Sequence, residues 1–373
     1  MSRFSKQSSE NEAFCRDTTK GILMLAIVIG HNKITQDYLH LLAFPILYFW
    51  HVQAFFILPH PEGSKPHIKK SLDYLIRYMT PYLIFCVAVY IAEYITRTNI
   101  ASPTNSALLI LAGSASALQQ GIILVVLWFL PTLTSFMIAR CVISQFPAPI
   151  SLAVNTVLFI GGIGVAAAGH TRAPNLLPLN LGIVPYIFSM KIIADGILNL
   201  YQRHHKLKRE IVFAAALILG LSAYWLIKTG DVINVSYYRL GESPISIAIG
   251  LMAPACALVV IMEATVLIRF GSIIRSLGKY SMQVFLLHQF FQIPICAVLM
   301  KRLHLEQGSL IAFVTMAASV GATALLSLAV GKMLCALPLA KRFVFPSGWK
   351  ELLGGGRRAP AVTNKELTDT LHS

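Results

Sequence analysis

The sequence predicts an all-α polytopic membrane protein with about ten transmembrane helices and both termini in the cytoplasm. Three observations carry this reading. The 373 residues are 56% hydrophobic and only 13% charged, with mean hydropathy +0.67, whereas a soluble domain would be about 25% charged. Apolar runs close to the roughly 20 residues needed to cross a bilayer recur along the chain. The basic residues also segregate between alternate loops. With the N-terminus inside, 22 of the 31 Lys and Arg fall on the cytoplasmic side and seven on the outer side, with Lys191 and Lys332 inside spans. By the positive-inside rule this fixes both termini in the cytoplasm and requires an even number of spans.

In chain order, residues 1–19 form a polar N-terminal segment in the cytoplasm. The first 14 residues are polar and Lys20 precedes any apolar run, so no cleavable signal peptide is expected. The membrane domain is expected over 20–338. Its first span, Lys20 to Thr35, is short and contains His31. Leu39 to Leu58 is the second span and Ile76 to Ile95 the third, joined by a loop with Lys65, Lys69 and Lys70. Ser106 to Gln120 is apolar but rich in Gly, Ala and Ser, and reads as a re-entrant or interfacial segment. Spans follow at Gly121 to Ile143, Ile150 to Ala168, Leu181 to Leu198, Ile211 to Ile227, Ile245 to Ile268, Tyr280 to Met300 and Leu310 to Leu337. Residues 339–373 form a basic cytoplasmic tail, disordered towards its end.

The net charge of +15 would suggest nucleic acid in a soluble protein. Here no basic domain stands apart from the apolar spans, so nucleic-acid binding is set aside. The six cysteines are scattered with no CxxC pair and read as small core residues. No internal repeat of the transporter kind is visible.

Ionisable groups inside a bilayer are costly, which makes each a functional candidate. They are His31, His51, Glu93, Lys191, Asp195, Glu263, His288 and Lys332. Lys191 and Asp195, four apart, can pair along one helix face. His31 lies 11 residues beyond Lys20, about 16 Å along a helix, and so near mid-membrane. A neutral imidazole there can take and return a proton, or it can simply donate to a backbone carbonyl of a neighbouring helix. Lys20 at the cytoplasmic interface is either an anchor or a cation for an anionic ligand such as a phosphate. Asp17, three residues earlier, is spaced to hold Lys20 on the same face.

Five pieces of sequence, in order, resemble one family. The first is Asp17, Lys20, Gly21, Ile22, Gly30 and His31; the second is FWHVQAFFIL at 49–58, which contains His51. The third is RYMTPYLIF at 77–85, the fourth LWFLPTL at 127–133, and the fifth LGKYSMQVFLLHQF at 277–290. Together they are similar to the acyltransferase-3 family of integral-membrane acyltransferases, which typically modify sugar hydroxyls. The family's arginine, ten residues, then histidine is kept in spacing, with Lys20 in place of the arginine, as in the branch related to fucose O-acetylases. The Ser-Gly that ends the family's second motif is Pro59 and His60 here.

The resemblance implies acyl transfer from acetyl-CoA, on the cytoplasmic side of a bacterial inner membrane, to a hydroxyl of a cell-surface glycan or its lipid-linked precursor. His31 would be the general base, grouped with Asp17 at the catalytic site, and Lys20 and Arg77 would meet donor phosphates. His51, Trp128 and His288 would line the cavity or contact the acceptor, or be structural. Ser281 reads as a helix-start cap. No phosphate loop, GxSxG elbow or HExxH motif is present, so the expected chemistry uses one base, no metal and no permanently bound cofactor. Acetyl-CoA enters as a substrate. A proton-coupled transporter with His31, His51 and His288 along its path is the alternative, and a membrane scaffold with structural histidines is a third reading.

Overall fold

The computed structural model describes residues 2–39, 52–58, 68–96, 103–121, 125–168, 177–231, 233–235, 238–267, 271–303 and 305–352. Among these the secondary structure is helical, with one isolated bridge between Asn234 and Arg239. Among the described residues eight helices are long and apolar enough to cross a membrane.

The chain opens with α1 (Ser2–His31), α2 (Lys33–Tyr38) and α3 (Lys69–Thr96). Two short helices follow, α4 (Pro103–Ala112) and α5 (Ala115–Gly121). A 3₁₀ turn at Val125–Trp128 leads into α6 (Phe129–Ile143), and α7 (Ala148–Ala167) comes next. A second 3₁₀ turn, Pro178–Ile183, precedes α8 (Val184–Arg203), which is followed by α9 (Lys208–Thr229) and α10 (Pro244–Leu267). The C-terminal half is completed by α11 (Ser272–Lys279), α12 (Ser281–Arg302), α13 (Leu310–Ala336), α14 (Pro338–Phe343) and α15 (Trp349–Leu352).

The eight crossing helices correspond to the third to tenth expected spans, with ends that agree within a few residues apart from the longer start of the third. The second span falls mostly outside the described residues, where only 52–57 are helical. The first span is not one continuous helix: α1 stops at His31. Asn32 breaks it because its side-chain oxygen accepts from the amides of Ile34 (3.0 Å) and Thr35 (3.2 Å), capping α2. Segment 106–120 is broken at Gly113, whose φ is +67°. Arms of ten and seven residues are each too short to cross a bilayer. The Tyr82 hydroxyl donates to the Ile110 carbonyl at 2.5 Å and ties the first arm to α3.

Helix α1 is the central element, because it packs on α10, α11, α12 and α13. Its buried face is Thr18, Thr19, Leu23, Met24, Ile27 and Val28, the three- and four-residue spacing of one helical stripe. The approach of α1 to α11 is a main-chain contact. A Cβ added at Gly21 would collide with the Ile274 carbonyl, and one at Gly278 with the Asp17 carbonyl. Glycine is required at both positions because any side chain would force the two helices apart.

Three ionisable groups within the spans find ion-pair partners. Lys191 and Asp195 form an ion pair on α8. Glu263 of α10 pairs with Lys208 at 2.7 Å and accepts from the Tyr201 hydroxyl at 2.7 Å. All six cysteines are free thiols.

The segment after α13 folds back as a strap. Phe345 is buried in the main core. The Trp349 amide donates to Asp73 of α3 at 3.0 Å, the Ser347 amide to Glu351 at 2.8 Å, and the Arg342 Nε to the Leu352 carbonyl at 3.0 Å. The rest of the tail, 353–373, lies outside the described residues.

Candidate active site

Contact between α1 and α11 brings together two of the motifs noted in the sequence. Lys20 precedes Gly21 and Lys279 follows Gly278, so the backbone contact sets two ammonium-bearing residues at one site. Both line a cavity of about 580 Å³ together with Arg16 and Arg77. Its walls include Met24, Ile27, Phe55, Phe56, Tyr74, Tyr78, Phe129, Phe285 and Phe345. Among the described residues none of the four cations forms an ion pair. Four cations sharing one concave site without a salt bridge repel one another, an arrangement suited to an anionic ligand.

Ile27 and Phe285 line this cavity, and each holds a histidine through its carbonyl. His31 Nδ1 lies 3.1 Å from the Ile27 oxygen, and His288 Nδ1 lies 2.6 Å from the Phe285 oxygen. The two imidazoles face each other, with His288 Nε2 3.3 Å from His31 Nδ1 and ring centroids 5.1 Å apart. His288 is fully buried and His31 half-buried. The histidine pair therefore stands about one helical turn beyond the lining of the cationic cavity.

Donor and acceptor logic assigns the protons. A carbonyl only accepts, so the Nδ1 of each ring carries hydrogen. His288 Nε2 is then a lone pair, the one Nδ1–H of His31 is shared between it and the Ile27 carbonyl, and the basic nitrogen of His31 is Nε2. The surrounding polar groups fix this geometry. Gln292, four residues after His288, donates to the Val28 carbonyl at 2.7 Å, and Asn32 donates to the Ser319 hydroxyl of α13 at 2.7 Å.

The other expected site residues are distributed as follows. Asp17 forms no ion pair with Lys20; it lies against α11, 14 residues before His31 and about 21 Å away along the helix. Trp128 is 4% exposed and packs against Phe56 and Phe129, with ring centroids 6.4 and 6.2 Å apart; it stands behind the cavity wall and is not part of the lining. His51 lies outside the described residues. Ser281 lines the cavity and is the first residue of α12, whose N-cap is Tyr280 with no side-chain cap. The expected cap is displaced because α11 runs almost directly into α12, and the Tyr280 and Val284 amides are taken by the Ser276 and Tyr280 carbonyls. Arg16, Lys279, Asn32 and Gln292 were not singled out by sequence. Lys279 sat inside a quoted motif, and Gln292 follows His288 at helical spacing, so a signal was present for both. Among the described residues no group of three or more His, Cys, Asp or Glu is placed to hold a metal ion.

A family model described as an acyltransferase domain, that of the acyltransferase-3 family, matches residues 16–330. The chain belongs to this acyltransferase family. The match takes in the cations of α1, Arg77, the α1–α11 contact and both histidines of the facing pair. Comparison with curated proteins and with solved structures returned no significant match. The protein is thus a multi-helix membrane acyltransferase, and an acyl donor and an acceptor are its substrates.

Proposed function

We propose that this acyltransferase transfers an acetyl group from acetyl-CoA to a hydroxyl of a cell-surface glycan or of its lipid-linked precursor, at the bacterial inner membrane, with His31 as general base. The observation that carries the reading is that the histidine pair is anchored on Ile27 and Phe285, two lining residues of the four-cation cavity. Phosphates of coenzyme A fit a site that offers Arg16, Lys20, Arg77 and Lys279, none of them in a salt bridge among the described residues. The thioester end then points towards Ile27, Phe285 and the imidazoles.

In the transfer step, His31 Nε2 takes the proton of the acceptor hydroxyl as its oxygen attacks the thioester carbonyl carbon. The new C–O bond forms, the C–S bond breaks, and the imidazolium returns its proton to the departing thiolate. His288 supports the charge: its Nε2 lone pair faces the Nδ1–H of His31, so a positive His31 is held by an acceptor. His288 is a positioning residue in this scheme. The family match favours this enzyme over the proton-coupled transporter reading of the same histidines.

Acetylation of surface polysaccharide is the test, measured in cells that carry the wild type or His31→Ala at equal protein level. Loss of acetyl groups is expected with His31→Ala, and unchanged acetylation would remove His31 as the base.

A further inference from the structure

The strap Pro338–Leu352 lies beyond the region matched by the family, which ends at residue 330, yet it completes the cavity. Phe345, Pro346 and Ser347 line the same space as Lys20, Arg77 and Lys279. Phe345 is only 6% exposed, so the strap is seated in the core and does not merely drape over the surface. Asp73 clasps it through the Trp349 amide, and Lys341 faces Glu351 at 3.7 Å within it. Aromatic side chains with such anchorage are pre-positioned walls, which lose little freedom when a ligand arrives.

We propose that the strap is part of the donor site, with Phe345 as the wall against which the base of the donor nucleotide rests. This rests on the coenzyme A reading given above. The argument is one of polarity along the cavity. A thioester that reaches the histidine pair places its acyl end beyond Ile27 and Phe285. Its nucleotide is then left at the end that holds the cations and the strap. Arg16, Lys20, Arg77 and Lys279 serve phosphates, but a purine needs a flat apolar surface. Phe345 supplies an aromatic surface there from a segment outside the common family region, so the strap makes this chain discriminate between a nucleotide thioester and a ligand bearing phosphates alone.

Binding of coenzyme A, 4′-phosphopantetheine and pyrophosphate to the purified full-length protein tests this, in the wild type, Phe345→Leu and Asp73→Ala. Phe345→Leu keeps an apolar side chain in the core and removes the ring. It is expected to weaken coenzyme A about fivefold to tenfold, the scale of one base–aromatic contact, and to leave the other two ligands unchanged within about twofold. Asp73→Ala, which releases the Trp349 amide, should give the same selective loss without touching Phe345. Equal loss for all three ligands would overturn the proposal, because it would make the strap a structural support only. Unchanged coenzyme A binding in both variants would overturn it as well, with the donor reading left standing. A wild type that binds none of the three would sink the donor reading itself.

Discussion

His288 Nε2 lies 3.3 Å from His31 Nδ1, although 257 residues separate the two in the chain. The contact joins the α1 and α12 motifs into one histidine pair. In the proposed mechanism it divides the labour between two imidazoles, with Nε2 of His31 meeting the substrate proton and His288 receiving the Nδ1–H behind it. Replacing His31 by Ala should lower the turnover number by about 10²-fold or more, the range for loss of a positioned general base. His288→Ala should also lower turnover, by a smaller factor, with the KM for the donor little changed. Steady-state kinetics on purified enzyme separates these outcomes. Equal loss in donor KM and turnover for His288→Ala would contradict a positioning role.

Lys20 and Lys279 meet in one cavity through the Gly21–Gly278 contact. Lys20→Ala is expected to raise the KM for the donor about tenfold and to leave acceptor preference unaltered, the size expected when one charge-assisted hydrogen bond is removed. Rising salt should raise the donor KM of the wild type, and do so less steeply for Lys20→Ala. A variant that alters acceptor choice and leaves the donor KM alone would remove the phosphate role of Lys20.

Gly21→Ala and Gly278→Ala place a methyl group against a backbone carbonyl. Each should destabilise the protein by about 1–3 kcal/mol, the usual cost of overpacking, and lower the midpoint of thermal unfolding in detergent. The effects should be non-additive, because either substitution already separates the same two helices. Additive shifts in Tm would argue against a shared contact.

Asn32 and Ser319 are expected to be coupled by about 0.6 kcal/mol, the average for side-chain hydrogen bonds between membrane helices. A double-mutant cycle with Asn32→Ala and Ser319→Ala measures it. Asn32→Ala alone should cost more than Ser319→Ala, since it also removes the cap of α2.

The strap has a pH dependence of its own, outside the spans. Burial alone would raise the Glu351 carboxyl, but the hydroxyl and amide of Ser347 and the Lys341 ammonium outweigh it, holding the group below its ordinary value of 4.5. A depressed folded value means that the stabilisation is fully present above pH 4.5 and is lost as pH falls through the lower folded value. Protease cleavage within 338–352 should therefore accelerate below pH 4.5 in the wild type. Glu351→Gln should be cleaved faster at neutral pH and show a flatter profile.

Much of the fold was legible because membrane spans announce themselves by composition. The runs behind α3, α7, α8, α9, α10, α12 and α13 are long and apolar, and their ends follow from the charges beside them. The breaks were harder to read. Asn32 looks like one polar residue in an apolar run, and only its two amide contacts show that it ends α1. In the site, Lys20, Arg77, His31 and His288 were visible as charges or imidazoles in unusual places. Their grouping was not, because it depends on helix contacts between distant parts of the chain. Asp17 illustrates the limit: spacing puts it near Lys20, whose charge it favours, yet three-residue spacing does not by itself close a salt bridge. Trp128 illustrates another, since a large aromatic in a motif looks the same whether it lines a cavity or, as here, packs behind Phe56 and Phe129 of the cavity wall.

The backbone contact between α1 and α11 acts as a caliper. The separation of the Lys20 and Lys279 main chains is set by two glycines at the van der Waals limit, and no side-chain choice at the cavity can widen it. At this contact, anion binding can therefore drift only through what is mounted on that fixed gauge, by the length and head group of the cations. An exchange of lysine for arginine at position 20 changes reach and hydrogen-bond geometry while the frame that carries the histidine pair stays in register.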